Sequence, residues 1–234
     1  MPLRILHLSD IHFSTKLNEE RSLHTDVRDQ LLNDLRDAMI PQHGRIDKVL
    51  IAGDIAFSGT RAEYEEAAKW LHQVTTLVGC QPTDVLTVPG NHDVNRNRIL
   101  SATKLIHRRL RTCSLPEAKR ELYELAEQND GALTDKLMDY QAFASAYGCP
   151  FESSSRPQWN LIFPLGNDMY LKFIGLTTVQ VCDAEDQKGG LFLVLLCYKS
   201  RYLWCDFPGP EEGMSLTWAH EAPPADFQRS VAAF

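Results

Sequence analysis

Val85-Leu86-Thr87-Val88-Pro89-Gly90-Asn91-His92-Asp93 is a strand-length apolar run that stops at a Pro-Gly turn and then presents an amide, an imidazole and a carboxylate in succession. Towards the N-terminus the same syntax occurs twice more. Val49-Leu50-Ile51-Ala52 stops at Gly53-Asp54, and Arg4-Ile5-Leu6-His7-Leu8 stops at Ser9-Asp10-Ile11-His12. Runs this apolar suit strands buried on both faces, the condition of a parallel sheet covered by crossover helices. The intervening segments predict those helices. Leu23, Val27, Leu31, Leu35 and Met39 recur every four residues as one apolar stripe, which Pro41 and Gly44 close. Thr60 and Glu63 have capping-box spacing, and Tyr64, Ala67, Leu71, Val74 and Leu77 continue a helical face to Gly79. Strand, helix, strand, helix, strand with right-handed crossovers places the chain in the α/β class.

Beyond the third strand the pattern becomes helical and highly charged from Ile99 to Tyr147. A second capping box stands at Ser114 and Glu117, and apolar positions follow at Leu122, Leu125, Leu137, Tyr140 and Phe143. Residues 99–147 therefore read as a helical insertion, either a lid over the ligand crevice or an inert decoration. Trp159 to Leu165 and Met169 to Leu176 read as two strands joined by a Gly166-Asn167-Asp168 turn, which returns the chain to the sheet. One domain over 1–189 results. Residues 190–234, with Trp204, Trp218 and the breaks Pro208-Gly209-Pro210 and Pro223-Pro224, form an atypical tail without a strand-helix rhythm.

A chain of 234 residues can bury a full core, and its 24% charged and 44% apolar residues are ordinary for a folded domain. Its longest apolar stretch, Leu191 to Tyr198, is far short of the roughly 18 residues a membrane span needs. Met1 to Leu8 moves straight into a strand pattern with no signal-peptide layout, so a cytoplasmic location is the expectation. The six cysteines, Cys80, Cys113, Cys149, Cys182, Cys197 and Cys205, lack C-x-x-C spacing and read mostly as small buried residues. A net charge of −7 argues against an extended nucleic-acid surface.

Ligands of open parallel sheets bind beyond the carboxyl ends of the strands. All three strand ends here carry metal-type donors. The i, i+2 spacing of Asp10 and His12 in an extended segment points both side chains to one side. Gly53 lets the backbone pass closely and leaves the Asp54 carboxylate exposed, while Asn91 and His92 share a tight turn. Taken singly, each has an ordinary explanation: Asp10 as a helix cap, Asp54 as a turn residue, Asn91 or Asp93 in an Asx-turn, His12 as a surface histidine. Three coincident clusters on successive strands favour a common site. A dinucleotide-binding alternative is poor, since no G-x-G-x-x-G follows the first strand.

Leu8-Ser9-Asp10-Ile11-His12, Ala52-Gly53-Asp54 and Pro89-Gly90-Asn91-His92-Asp93 resemble, in order and separation, the D-x-H, GD and GNHD signatures of the calcineurin-like metallophosphoesterases. The resemblance implies a four-layer α/β sandwich, incomplete at the C-terminus, and hydrolysis of a phosphate ester by a metal-activated water. It implies two divalent ions, Mn, Fe or Zn, about 3.5–4 Å apart. Asp10 and His12 would hold the first, Asp54 would bridge, and Asn91 would hold the second. His92 would stand beside the metals and serve the leaving oxygen, with Asp93 orienting it. Val94-Asn95-Arg96 is similar to members near the class III cyclic-nucleotide phosphodiesterases. That similarity favours a phosphodiester, with a nucleotide as one candidate substrate, and makes Asn95 and Arg96 candidate phosphate contacts.

The chain departs from the family in its later histidines. After His107 only His220 remains, in Trp218-Ala219-His220-Glu221, and neither a G-H nor a G-H-x-H motif is present. The second metal site should accordingly be weak. Two readings follow: a metal-dependent phosphoesterase, or a truncated or frame-altered non-catalytic member that acts as a binding or regulatory module.

Overall fold

The computed structural model describes residues 3–15, 19–128, 131–154, 157–166, 169–186 and 215–218. Strands β1 (Ile5–Leu8), β2 (Lys48–Ala52) and β3 (Val85–Val88) form a parallel sheet in the order β1-β2-β3. Leu6 pairs with Val49, and Leu50 with Leu86. Every residue of β3 and all of β2 except Lys48 is buried, as the unbroken apolar runs require. The register brings all three C-terminal ends to one edge of the sheet.

Helix α1 (Glu19–Asp34) connects β1 to β2 through a π turn over Leu35–Met39 and a last α turn, α2 (Ile40–His43). The chain passes through Pro41 and stops at Gly44, whose φ of 76° ends the helix. The expected stripe is corrected here. Val27 is 60% and Met39 40% exposed, whereas Arg28, Leu32 and Leu35 are buried. The inward face is thus rotated, because the π turn resets the helical phase and because Arg28 is drawn inward by partners described below. The side chain of Leu23 lies outside the described residues.

Helix α3 (Arg61–Val78) follows the sequence closely. The Glu63 carboxylate reaches back to accept the N–H groups of Ser58 and Thr60, both at 3.0 Å, and Gly79 closes the last turn with φ 78°. Tyr64, Ala67, Trp70, Leu71, Val74 and Val78 are buried against the sheet.

The charged stretch forms α4 (Ser101–Thr112), α5 (Leu115–Glu127) and α6 (Met138–Ala146). Glu117 accepts the Ser114 N–H at 2.9 Å and its hydroxyl at 2.7 Å, so the second capping box forms. The three helices divide between two cores. Leu137, Tyr140, Phe143 and Ala144 belong to the main core, while Leu110, Ala118, Leu122 and Leu133 form a separate cluster with Val181.

Strands β4 (Gln158–Gly166) and β5 (Met169–Leu176) pair antiparallel, as expected, but do not join the first sheet. They make a second sheet, completed by β6 (Ser215–Trp218) parallel to β5. This corrects both the single-sheet expectation and the absence of a strand in the tail. The pattern had the cue, since β4 and β5 alternate in and out: Trp159, Leu171 and Phe173 enter the main core while Ile162 and Tyr170 face outward. The Trp159 indole donates to the Thr87 carbonyl at 2.7 Å and so covers edge strand β3. Asn167 and Asp168 of the turn, the run Leu191 to Tyr198, His220 and the rest of the tail lie outside the described residues.

Parallel sheet, second sheet and packed helices give the mixed α/β architecture expected of the sandwich. Of the cysteines, Cys80, Cys149 and Cys182 are buried, Cys113 is half-buried, and all four are free. No described helix is long and apolar enough to cross a membrane.

Candidate metal centre

The loops beyond β1 and β2 continue side by side after the strands end. Asp10 N–H donates to Gly53 O at 3.3 Å, His12 N–H to Asp54 O at 2.9 Å and Phe13 N–H to Ile55 O at 2.8 Å, and Phe57 N–H returns to Phe13 O at 2.9 Å. Asp10, His12 and Asp54 have φ of 55°, 52° and 51°. They are the non-glycine residues with positive φ among the described residues. The left-handed region costs an L-residue on the order of 1–2 kcal/mol. The inter-loop hydrogen bonds hold each residue there.

This corrects the reason for convergence. Asp10 and His12 are not extended neighbours on one pleat; each backbone turns left-handed and Ile11 between them is buried. Their side chains still meet, with Asp10 Oδ1 3.9 Å from His12 Nε2, which is also 3.9 Å from Asp54 Oδ2. The Asp54 side chain is 5% exposed, not open to solvent as expected.

The loop after β3 closes the third side. His92 N–H donates to Asp54 Oδ1 at 2.9 Å. A Cβ on Gly90 would stand 2.2 Å from the same oxygen, so glycine is required there by close approach. Asn91 is half-buried at the start of the turn that carries His92. One donor atom each from His12, Asp54 and His92 lies within 4.8 Å of the others. His92, expected beside the metals, thus supplies one of the three clustered donor atoms.

Asp93 does not orient the His92 ring. Its fully buried carboxylate accepts from Ile55 N (3.2 Å), Ala56 N (2.9 Å), Gly90 N (2.9 Å) and the Tyr64 hydroxyl (2.9 Å). It ties the second loop, the third loop and α3 together and acts on His92 through the backbone. Burial pushes this carboxyl up to about 6, against the Ala56 and Gly90 N–H groups, which favour its charged form. The His92 ring is set by Phe57, whose carbonyl lies 3.0 Å from Nδ1. A carbonyl only accepts, so Nδ1 carries the proton and Nε2 is the free nitrogen.

His12 is held below its ordinary value by burial, with Asp54 pulling up and His92 and His24 pulling down. Its Nδ1 is buried with no hydrogen-bond partner among the described residues. Asn95 is committed internally: its Nδ2 donates to Asp139 at 3.0 Å, its Oδ1 accepts from Asn97 N at 3.2 Å and its N–H bonds Lys136 O at 2.9 Å. Arg96 is exposed. Sequence reasoning passed over His24 and Arg28, whose helical spacing resembled an ordinary surface.

The donors fit a divalent cation: the buried Asp54 carboxylate and the His12 and His92 imidazoles converge, with a second carboxylate, Asp10, 3.9 Å from His12 Nε2. Such mixed oxygen and nitrogen sets suit Mn²⁺, Fe or Zn²⁺ better than Ca²⁺.

The family model described as calcineurin-like phosphoesterase matches residues 3–162. The chain is also 25% identical over 189 residues to the uncharacterized metallophosphoesterase-like protein YydB of Bacillus subtilis (strain 168), over 81% of this chain and 35% of that protein. It thus spans about a third of the length of that relative.

Proposed function

Because the chain belongs to the calcineurin-like phosphoesterase family, we propose that it is a metal-dependent hydrolase of phosphate esters whose centre is built by Asp10, His12, Asp54, Asn91 and His92. The observation that carries this reading is the meeting of His12, Asp54 and His92 donor atoms within 4.8 Å, with Asp10 3.9 Å from His12. Asp10 and His12 would hold one cation, Asn91 a second, and Asp54 both. Two bound cations would supply positive charge for the phosphate oxygens and acidify a water for in-line attack.

The protein's own groups do the rest. The His92 amide and Gly90 keep Asp54 Oδ1 turned towards the third loop. Phe57 holds the His92 proton on Nδ1, so that Nε2, when protonated, donates to the departing oxygen. Arg96, exposed just past that turn, is the remaining candidate for a substrate contact, since Asn95 is used inside the fold. A phosphodiester is the substrate class we assign, on the motif resemblance around Asn95-Arg96.

The test is hydrolysis of an aryl phosphodiester and an aryl phosphomonoester by chelator-stripped protein, with and without added Mn²⁺. Metal-stimulated turnover that is higher on the diester and lost in His92→Ala supports the assignment. Cation binding without turnover on either ester would favour a binding or regulatory module instead.

A further inference from the structure

The sequence has no later histidine motif to complete the centre, yet the structure brings a third imidazole to it from an unexpected element. His24, on α1, stands with its ring centroid 5.3 Å from that of His12, and His12 stands 4.7 Å from His92. The three rings form a row drawn from a helix, the first loop and the third loop.

The placement of His24 is not accidental to a floating helix end. Arg28, one turn further along, lies on the same helical face. It is buried, donates from Nη1 to the carbonyl of Ile11 at 3.0 Å and lies 4.3 Å from the Phe13 ring centre. Ile11 is the residue between Asp10 and His12. The same guanidinium donates from Nη2 to Thr25 Oγ1 at 3.0 Å, next to His24. Arg28 therefore clamps the first turns of α1 against the loop that carries the first candidate ligands.

The ring spacing is compatible with ligation. Two imidazoles that bind one ion at metal–nitrogen distances of about 2.0–2.1 Å place their ring centroids about 4.5–5.5 Å apart at tetrahedral to octahedral angles. Both His12–His92 and His12–His24 fall in that range, as does the packed pair Phe57–His92 at 5.2 Å, so the spacing permits ligation and the Arg28 clamp fixes the element that presents His24. The His24 nitrogens lie outside the three-atom convergence, as does the Asp10 carboxylate.

We propose that His24 is a ligand of the cation on the Asp10–His12 side of the centre, supplying an imidazole donor from α1. The inference rests on the metal-dependent reading above.

The experiment is titration of the full, chelator-stripped chain with Co²⁺, followed by calorimetry and visible absorption, for the wild type, His12→Ala, His24→Ala and His24→Gln. Thermal unfolding of each metal-free protein checks that the fold is kept. The expected result is at least tenfold weaker binding of one equivalent in both His24 variants, with altered absorption bands and metal-free unfolding midpoints equal to the wild type. Isotherms and spectra of both His24 variants that match the wild type, while His12→Ala is impaired, overturn the assignment of His24 and leave the phosphoesterase reading intact. Failure of the wild type to bind Co²⁺ overturns both.

Discussion

The backbone N–H of His92 donates to Oδ1 of Asp54 at 2.9 Å, so the loop after β3 grips the carboxylate delivered by the loop after β2. Gly90 makes that grip sterically allowed. Gly90→Ala would drive a methyl to 2.2 Å from Oδ1 and 2.5 Å from the Asp54 nitrogen, and neither can retreat without moving β2's end. We expect a loss of about 1–3 kcal/mol of stability. Urea unfolding measures it, and metal binding should weaken in the same variant. A stable Gly90→Ala protein with normal metal affinity would contradict the close approach.

Asp93 is the hinge pin of the site. Asp93→Ala would strand the N–H groups of Ile55, Ala56 and Gly90, each buried. At 1–3 kcal/mol for each unsatisfied buried donor, the expected cost is about 3 kcal/mol or more. Tyr64→Phe, which removes one donor and leaves the carboxylate its three backbone partners, should cost about 1 kcal/mol. Equal costs in the two variants, read from denaturant midpoints, would argue against this ranking.

Arg28 links α1 to the first loop by donating from Nη1 to Ile11 O, while its Nη2 donates to Thr25 Oγ1 one turn back on the same helix. Lysine has no fork, so Arg28→Lys should not restore what Arg28→Met loses. Both variants should lose about 1.5–3 kcal/mol, the range for hydrogen bonds from charged groups. Full stability of the lysine variant in thermal melts would show that charge alone suffices.

Acid sensitivity should arise away from the metal centre as well as at His12, which burial lowers in the same direction. Buried His107 donates from Nδ1 to Asp183 at 2.8 Å, while its Nε2 receives the Lys136 ammonium at 3.1 Å. Burial, then Lys136, holds His107 below its ordinary 6.5. The unfolded chain therefore binds a proton that the folded chain resists, and stability falls as pH drops below 6.5. Lys136, pushed down to about 7 by burial, acts in the same direction between pH 10.5 and 7. Burial raises the Asp183 carboxyl, but Arg111 and His107 outweigh this and bring it down to about 2, so its contribution goes as pH falls from 3.8 to 2. Melting temperatures at pH 7.5 and 5 should differ in the wild type and differ less in His107→Gln. An unchanged difference in that variant would place the sensitivity elsewhere.

Local chemistry wrote the frame into the sequence. Three apolar runs, their stop signals and the Thr60–Glu63 and Ser114–Glu117 caps are short-range features. They placed β1 to β3, α3 and the start of α5 where the structure has them. The donors at the strand ends were legible for the same reason, since strand register brings the ends together whatever the loops do. The inward face of α1 was not, because a π turn and the burial of Arg28 decide it, and the second sheet was signalled only by the in-and-out alternation of β4 and β5.

The tertiary structure alone decided how the donors point. Left-handed backbone at Asp10, His12 and Asp54 runs against the intrinsic preference of each residue, and the hydrogen bonds that hold it join segments about 40 positions apart. The same distance in sequence hid the burial of Asp54 and the commitment of Asp93 to the Ile55 and Ala56 amides, while the approach of His24 to His12 was hidden by the way α1 folds back on the first loop. Residue identity set what the centre could bind; long-range hydrogen bonds between loops, invisible to any local pattern, set where its atoms meet.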